Sequence, residues 1–151
     1  MTYTKKSYTK LAKTVIFPAV ASVEEKLAQI DWEPGTHETL RGFPEAPRKT
    51  LGYHLYLIQK GEIPPDSSPV PGVPNAFELR DEDSRGWYRV IHLKKIDDKI
   101  HVLHCFAKQS NQIEKRDIRT IQQRLGQLNK RLAEERKHAK QDARPNSRNE
   151  G

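Results

Sequence analysis

The sequence predicts an α+β domain in which a helical hairpin and a C-terminal helix pack on a small antiparallel sheet. Three observations carry that reading. Two helical segments, parted by Phe43-Pro44, run up to Gly61. Three strand-like runs follow, joined by polar connections of hairpin length. From Glu114 onward the apolar residues return at alternating spacings of three and four, the period of an amphipathic helix. A chain of 151 residues is the length of one domain. We divide it into an N-terminal extension (1–29), the domain itself (30–132) and a basic, disordered tail (133–151).

The extension is rich in Lys, Thr and Tyr and holds one short apolar run, Thr14 to Phe17, which reads as an edge strand or an arm that orders on a partner. Ser22-Val23-Glu24-Glu25 has capping-box spacing. Leu27 to Trp32 fits a helical face and also alternates at strand period, so both assignments stand. Pro34-Gly35 ends the segment either way.

Thr36 can cap a short helix through Leu40 and Arg41. A second helix starts near Pro47, a good first-turn residue. Leu51, Leu55 and Ile58 repeat at helical spacing, and Gly61 stands where a C-terminal glycine is expected. Ile63 to Asn75 contains five prolines and must be loop, because proline denies both helix and central strand. Ala76–Arg80, Trp87–Lys95 and Ile100–Lys108 read as a three-stranded meander. Beyond Glu114, Ile118, Ile121, Leu125, Leu128 and Leu132 form a stripe that could cover the sheet, meet a partner helix, or do each with one half. One class of function open to the chain is therefore an interaction protein working through this stripe.

Composition narrows the function classes. The chain is 34% hydrophobic and 31% charged, and no apolar stretch approaches the roughly 20 residues of a membrane span. The N-terminus lacks the apolar centre of a signal peptide. Cys105 is the single cysteine, which fits a reducing cytoplasm and a buried apolar role beside Val102, Leu103 and Phe106. Net charge is +7, and the segment from Lys108 to Arg148 alone holds 12 basic residues against 5 acidic. Such a concentration suits a polyanion, since each phosphate neutralised releases counterions, but a solvated helix explains the charge equally well.

The motifs resemble one family. Leu40-Arg41-Gly42-Phe43-Pro44, Arg48, Gly52, Leu55 and Gly61 are similar to the helical hairpin of phage-derived HigB-like toxins in the RelE/ParE superfamily. So are Pro65-Asp66, Glu78-Leu79-Arg80, Tyr88-Arg89-Val90-Ile91, Val102 to Lys108, and Arg116-Asp117-Ile118 to Arg124. The match spans Ile30 to Leu128. The resemblance implies a RelE-like fold, a curved antiparallel sheet with helices on one side. It implies the toxin of a type II toxin–antitoxin pair: a cytoplasmic, ribosome-dependent mRNA endonuclease neutralised by a helix-turn-helix antitoxin encoded nearby. The implied partners are that antitoxin in a hetero-oligomer, the messenger and the ribosome, with no membrane and no cofactor. A noncatalytic RNA- or protein-binding module on the same scaffold is the alternative.

In that superfamily RNA is cut without metal by the substrate's own 2′-hydroxyl. Such a site needs a fixed cation for the phosphate oxygens and groups that move protons. By matching motifs, Arg80, Arg89 and Lys108 are the phosphate-binding and transition-state candidates; His92 and His104 are the proton-transfer candidates, with His104 preferred. Arg48, Lys94, Lys115 and Arg119 complete the set as RNA-binding cations. Bland readings stand beside each. Arg89 could pair with Glu78, Arg80 with Glu78 or Asp81, Lys108 could be an exposed strand end, and His104 a hydrogen-bonded structural residue. Alternation puts His92 on the face opposite Arg89 unless a bulge intervenes, while His104 shares parity with Ile100, Val102, Phe106 and Lys108. Trp87 or Tyr88 could stack on bases, or fill the core. One departure stands out: where the family has two consecutive basic residues, this chain has Lys108 followed by Gln109. The histidines and acids show no zinc-ligand spacing.

Overall fold

The computed structural model describes residues 26–110 and 112–143. The element order is β1 (Gln29–Trp32), α1 (Thr36–Arg41), α2 (Glu45–Gln59), β2 (Ser68–Pro69), β3 (Ala76–Asp83), β4 (Gly86–Leu93), β5 (Lys99–Lys108) and α3 (Lys115–Ala143). The strands form one sheet in the order β1-β5-β4-β3-β2. Its body is the antiparallel meander β3-β4-β5, as the polar connections predict. β1 adds to β5 in parallel, with Ile30 opposite Ile100, which makes the sheet mixed. The fold is α+β and consistent with the RelE-like arrangement. The Thr14–Phe17 run and the Ser22–Glu25 capping box lie outside the described residues.

Local chemistry explains each boundary. At α1 the capping residue is Gly35, left-handed at φ 84°, and not Thr36. Thr36 is the first helical residue; its buried hydroxyl donates to the Glu33 carbonyl at 2.7 Å. Glycine wins that position because a left-handed residue there turns the chain from β1 into the helix without a Cβ clash. α2 closes on Gly61, at φ 87°, with Gly61 N–H donating to Ile58 O and Glu62 N–H to Leu57 O, both at 2.9 Å. That pair of bonds is a Schellman end. The proline-rich segment is loop apart from two residues of β2 at the sheet edge.

Helices cover both faces of the sheet, where the resemblance implies one. On one face Leu40, Phe43, Leu51 and Leu55 of the α1–α2 hairpin pack on Leu79, Tyr88, Val90, Val102 and Cys105. On the other, Ile121 and Leu128 of α3 pack on Ile91, Leu93, Leu103 and Phe106. The apolar stripe of α3 is thus used by the chain's own core, with Leu125 and Leu132 partly buried at its margin. α3 also runs 29 residues, about 43 Å, to Ala143. Residues 133–143 are therefore helical, past the point where the sequence placed the start of a disordered tail. Ala, Glu, Arg, Lys and Gln dominate that stretch, and all favour helix without needing a buried face. None of the described helices is long and apolar enough to cross a membrane.

The register of β5 carries one irregularity that matters for the site. Pairing steps from Ile91↔His104 to His92↔Val102, leaving Leu103 as an extra residue. Both Leu103 and His104 then oppose Ile91 on the α3 side, as two residues do at a β-bulge. The parity expected along β5 breaks there: Val102 faces the α1–α2 hairpin, while Phe106 faces α3.

Candidate functional site

Strand pairing brings the four motif-matched residues to one face, the α3 side. Arg80 is the register partner of Arg89, and Glu82 of Trp87. Across the next ladder Arg89 opposes Phe106, Trp87 opposes Lys108, and Ile91 opposes His104. Register partners share a face. His92 lies on the other face, stacked on Phe77 at 5.9 Å, with its Nδ1 at 3.1 Å from Leu93 O. The bulge sits in β5 and leaves β4 regular, so His92 stays apart from Arg89.

Three of the four residues line two clefts, and His104 lines neither. Arg80 and Arg89 line one, with Pro69 and Pro71 from the proline-rich segment and Ile113 and Ile118 from the approach to α3. Lys108 lines the other with Arg85, Gln109, Glu114 and Arg116. Exposure separates them further. Arg89 is 1% exposed and ion-paired with Glu78, itself 4% exposed. Arg80 lies 3.8 Å from the same carboxylate, but its side chain is 37% exposed. The guanidinium carbons of Arg80 and Arg89 lie 6.0 and 5.8 Å from the Trp87 ring centroid, within cation–π range. Tyr88 turns inward, packs on Phe43 at 5.2 Å and donates its hydroxyl to Asp83. Of the two aromatics, Tyr88 therefore fills the core and Trp87 stands on the cleft face.

Beside this, α3 supplies two residues that sequence reasoning missed as site residues. Asp117 is buried in the first turn of α3, where a carboxylate also suits the helix dipole. Its Oδ1 is 3.3 Å from His104 Nε2, and its Oδ2 is 3.1 Å from Lys108 Nζ, an ion pair without hydrogen-bond alignment. Lys108 Nζ also meets Glu114 Oε2 at 3.3 Å. Arg124, two turns on, donates to Leu103 O at 2.7 Å and lies 3.2 Å from His104 Nδ1. An arginine only donates, so His104 Nδ1 accepts and the neutral ring carries its proton on Nε2, aimed at Asp117. Burial pulls the His104 pKa below its ordinary value; the Asp117 hydrogen bond opposes that shift and Arg124 reinforces it. The signal that could have found Asp117 and Arg124 is their place on the inward stripe with Ile121 and Leu128, where polar residues need a reason.

The RNA-binding cations divide. Lys115 and Arg119 are exposed on the first turns of α3, the end that carries Asp117. Arg48 is exposed on α2, beyond the opposite face of the sheet, and Lys94 follows the far end of β4 beside Asn75. Neither joins the cleft face. Cys105 is buried in the hairpin-side core, its thiol pushed up to about 12 by burial, and takes no part in the site. Among the described residues no cluster of three His, Cys, Asp or Glu side chains is placed to hold a metal ion.

Residues 38–126, more than half of the chain, match the family model described as phage derived protein Gp49-like (DUF891). No curated protein and no solved structure matches the chain.

Proposed function

The chain belongs to the phage-derived Gp49-like family, a RelE/ParE-like toxin family, and from that premise we propose that it is the toxin of a type II toxin–antitoxin pair, cutting messenger RNA on the translating ribosome. The observation that carries the nuclease reading is the placement of Arg80, Arg89, His104 and Lys108 on one sheet face through consecutive register pairs. In the proposed reaction the 2′-hydroxyl attacks the adjacent phosphorus, its proton leaves to water, and the bond to the 5′ oxygen breaks. The products are a 2′,3′-cyclic phosphate and a 5′-hydroxyl end. Arg80, the exposed guanidinium of the pair, neutralises the phosphate oxygens. The Lys108 ammonium, in the second cleft on the same sheet face, protonates the leaving oxygen. Arg89, paired with Glu78 below them, supports Arg80 and Trp87 from beneath.

A second reading, a noncatalytic RNA- or protein-binding module, draws on two particulars: both ring nitrogens of His104 are engaged, and Gln109 stands where the family has a second basic residue. Induced expression in bacteria separates the readings. Growth arrest with cut transcripts is the expected outcome, and Arg80→Ala should relieve both while the protein stays folded. Arrest without cut transcripts favours the binding module. Arrest and cleavage undiminished in Arg80→Ala remove Arg80 from the site. A helix-turn-helix antitoxin and a toxin–antitoxin hetero-oligomer belong to the same proposal. Co-purification with the product of the neighbouring reading frame tests them.

A further inference from the structure

The Asp117 carboxylate, buried at 5% exposure, touches two of the motif-matched residues at once. We infer that Asp117 is a positioning residue of the RNA-cleaving site: it holds the Lys108 ammonium at the cleft and is itself aimed by His104 and Arg124. The inference rests on the nuclease reading and deepens it.

The geometry runs in one direction. Arg124 is anchored to the β5 backbone through Leu103 O at 2.7 Å, so its second contact, to His104 Nδ1 at 3.2 Å, is made from a fixed base. That contact decides which ring nitrogen bears the proton and turns Nε2–H toward Asp117 Oδ1. The remaining oxygen of Asp117 faces Lys108 Nζ. His104 is further held by stacking on Phe106, with centroids 4.7 Å apart. With Nδ1 occupied by Arg124 and Nε2 by Asp117, the imidazole has no free position for substrate, and its place in the row is orientation. Lys108 is the member of the row that lines a cleft, its side chain 13% exposed. The long, flexible lysine would otherwise sample many rotamers; a buried anion and the half-exposed Glu114 restrict it to the cleft wall.

Two measurements on the full chain test this, and the first needs no activity. Nitrogen-15 spectra of histidine-labelled protein at neutral pH should show His104 neutral, with Nε2 protonated and Nδ1 bare. The opposite tautomer, or a protonated ring, overturns the row. The second is a double-mutant cycle on cleavage of a defined messenger during translation in vitro. Asp117→Asn keeps an oxygen that can accept from His104 and removes the charge facing Lys108. Turnover should fall by about 100-fold, the lower end for loss of a positioned proton donor, with KM little changed. Lys108→Met should lose at least as much, and adding Asp117→Asn to it should cost nothing further. Additive losses, or unchanged turnover in folded Asp117→Asn, overturn the inference. If Asp117→Asn fails to fold, Arg124→Gln replaces it in the same cycle, and the same additivity overturns. A parent protein that cleaves nothing while its His104 spectrum matches refutes the nuclease reading and with it the positioning role, a result distinct from either failure above.

Discussion

Arg89 is a proposed site residue that also meets a structural demand. Its guanidinium is buried against Glu78, and breaking a buried pair strands the remaining charge. Arg89→Ala should therefore cost about 3–5 kcal/mol in denaturant unfolding. Arg89→Met combined with Glu78→Leu should recover most of that loss, because no charge is left uncompensated. An Arg89→Ala protein as stable as the parent would refute this account. Arg80→Ala should behave oppositely: on a side chain 37% exposed, stability should change by less than about 1 kcal/mol while cleavage falls about 100-fold or more. The Glu78–Arg89 pair was among the alternatives the sequence offered. What it could not give is their depth, because burial depends on α3 and the proline-rich loop closing over the strand. Asp117 and Arg124 were invisible for a related reason. Their partners lie 13 and 20 residues away, on a strand whose parity is broken by an unannounced bulge.

Elements were legible where period and punctuation agreed. The α1–α2 hairpin follows from Phe43-Pro44, Pro47 and Gly61, and the meander from three apolar runs with short polar joints. β1 was not decidable, since four residues carry too little period, and its partner strand begins some 70 residues later. The glycine at the start of β4 has a demand that only the fold displays. A Cβ on Gly86 would lie 2.6 Å from the Lys108 carbonyl, on backbone that cannot swing aside. Gly86→Ala should cost about 1–3 kcal/mol and, by displacing the end of β5, reduce cleavage as well. Thermal unfolding alongside the messenger assay checks both; an unaffected melting temperature would mean that the strand end yields freely. Within α3, Leu128→Ala should cost about 2–5 kcal/mol by leaving a cavity against the sheet. Because Leu128 is core, its loss reads out as instability, not as lost association with a partner.

At the scale of the whole molecule, two buried histidines and the partly buried His104 share one electrostatic tendency. Burial lowers the pKa of His92, His101 and His104, despite opposing carboxylates near the last two. In the unfolded chain such rings titrate near about 6.5. Between the depressed folded values and that point the unfolded state binds more protons, so stability falls as pH drops through about 6.5. Each ring can contribute a slope of at most about 1.4 kcal/mol per pH unit. The melting temperature should be flat in mildly alkaline buffer and decline on acidification from about pH 6.5; a rise on acidification contradicts the burial of these rings.

The surplus residue at Leu103 gives β5 two phases. Upstream of it, even-numbered Val102 serves the hairpin core; downstream, even-numbered Phe106 serves the α3 core. A single strand thereby keeps its parallel seam with β1 while presenting His104 and Lys108 to the opposite layer. Excising Leu103 would put the two ends out of step, and one of them would have to turn its apolar side chains to the wrong layer. Length, not only identity, is constrained at that position, so a one-residue deletion there should be far more damaging than replacing Leu103 with another apolar residue.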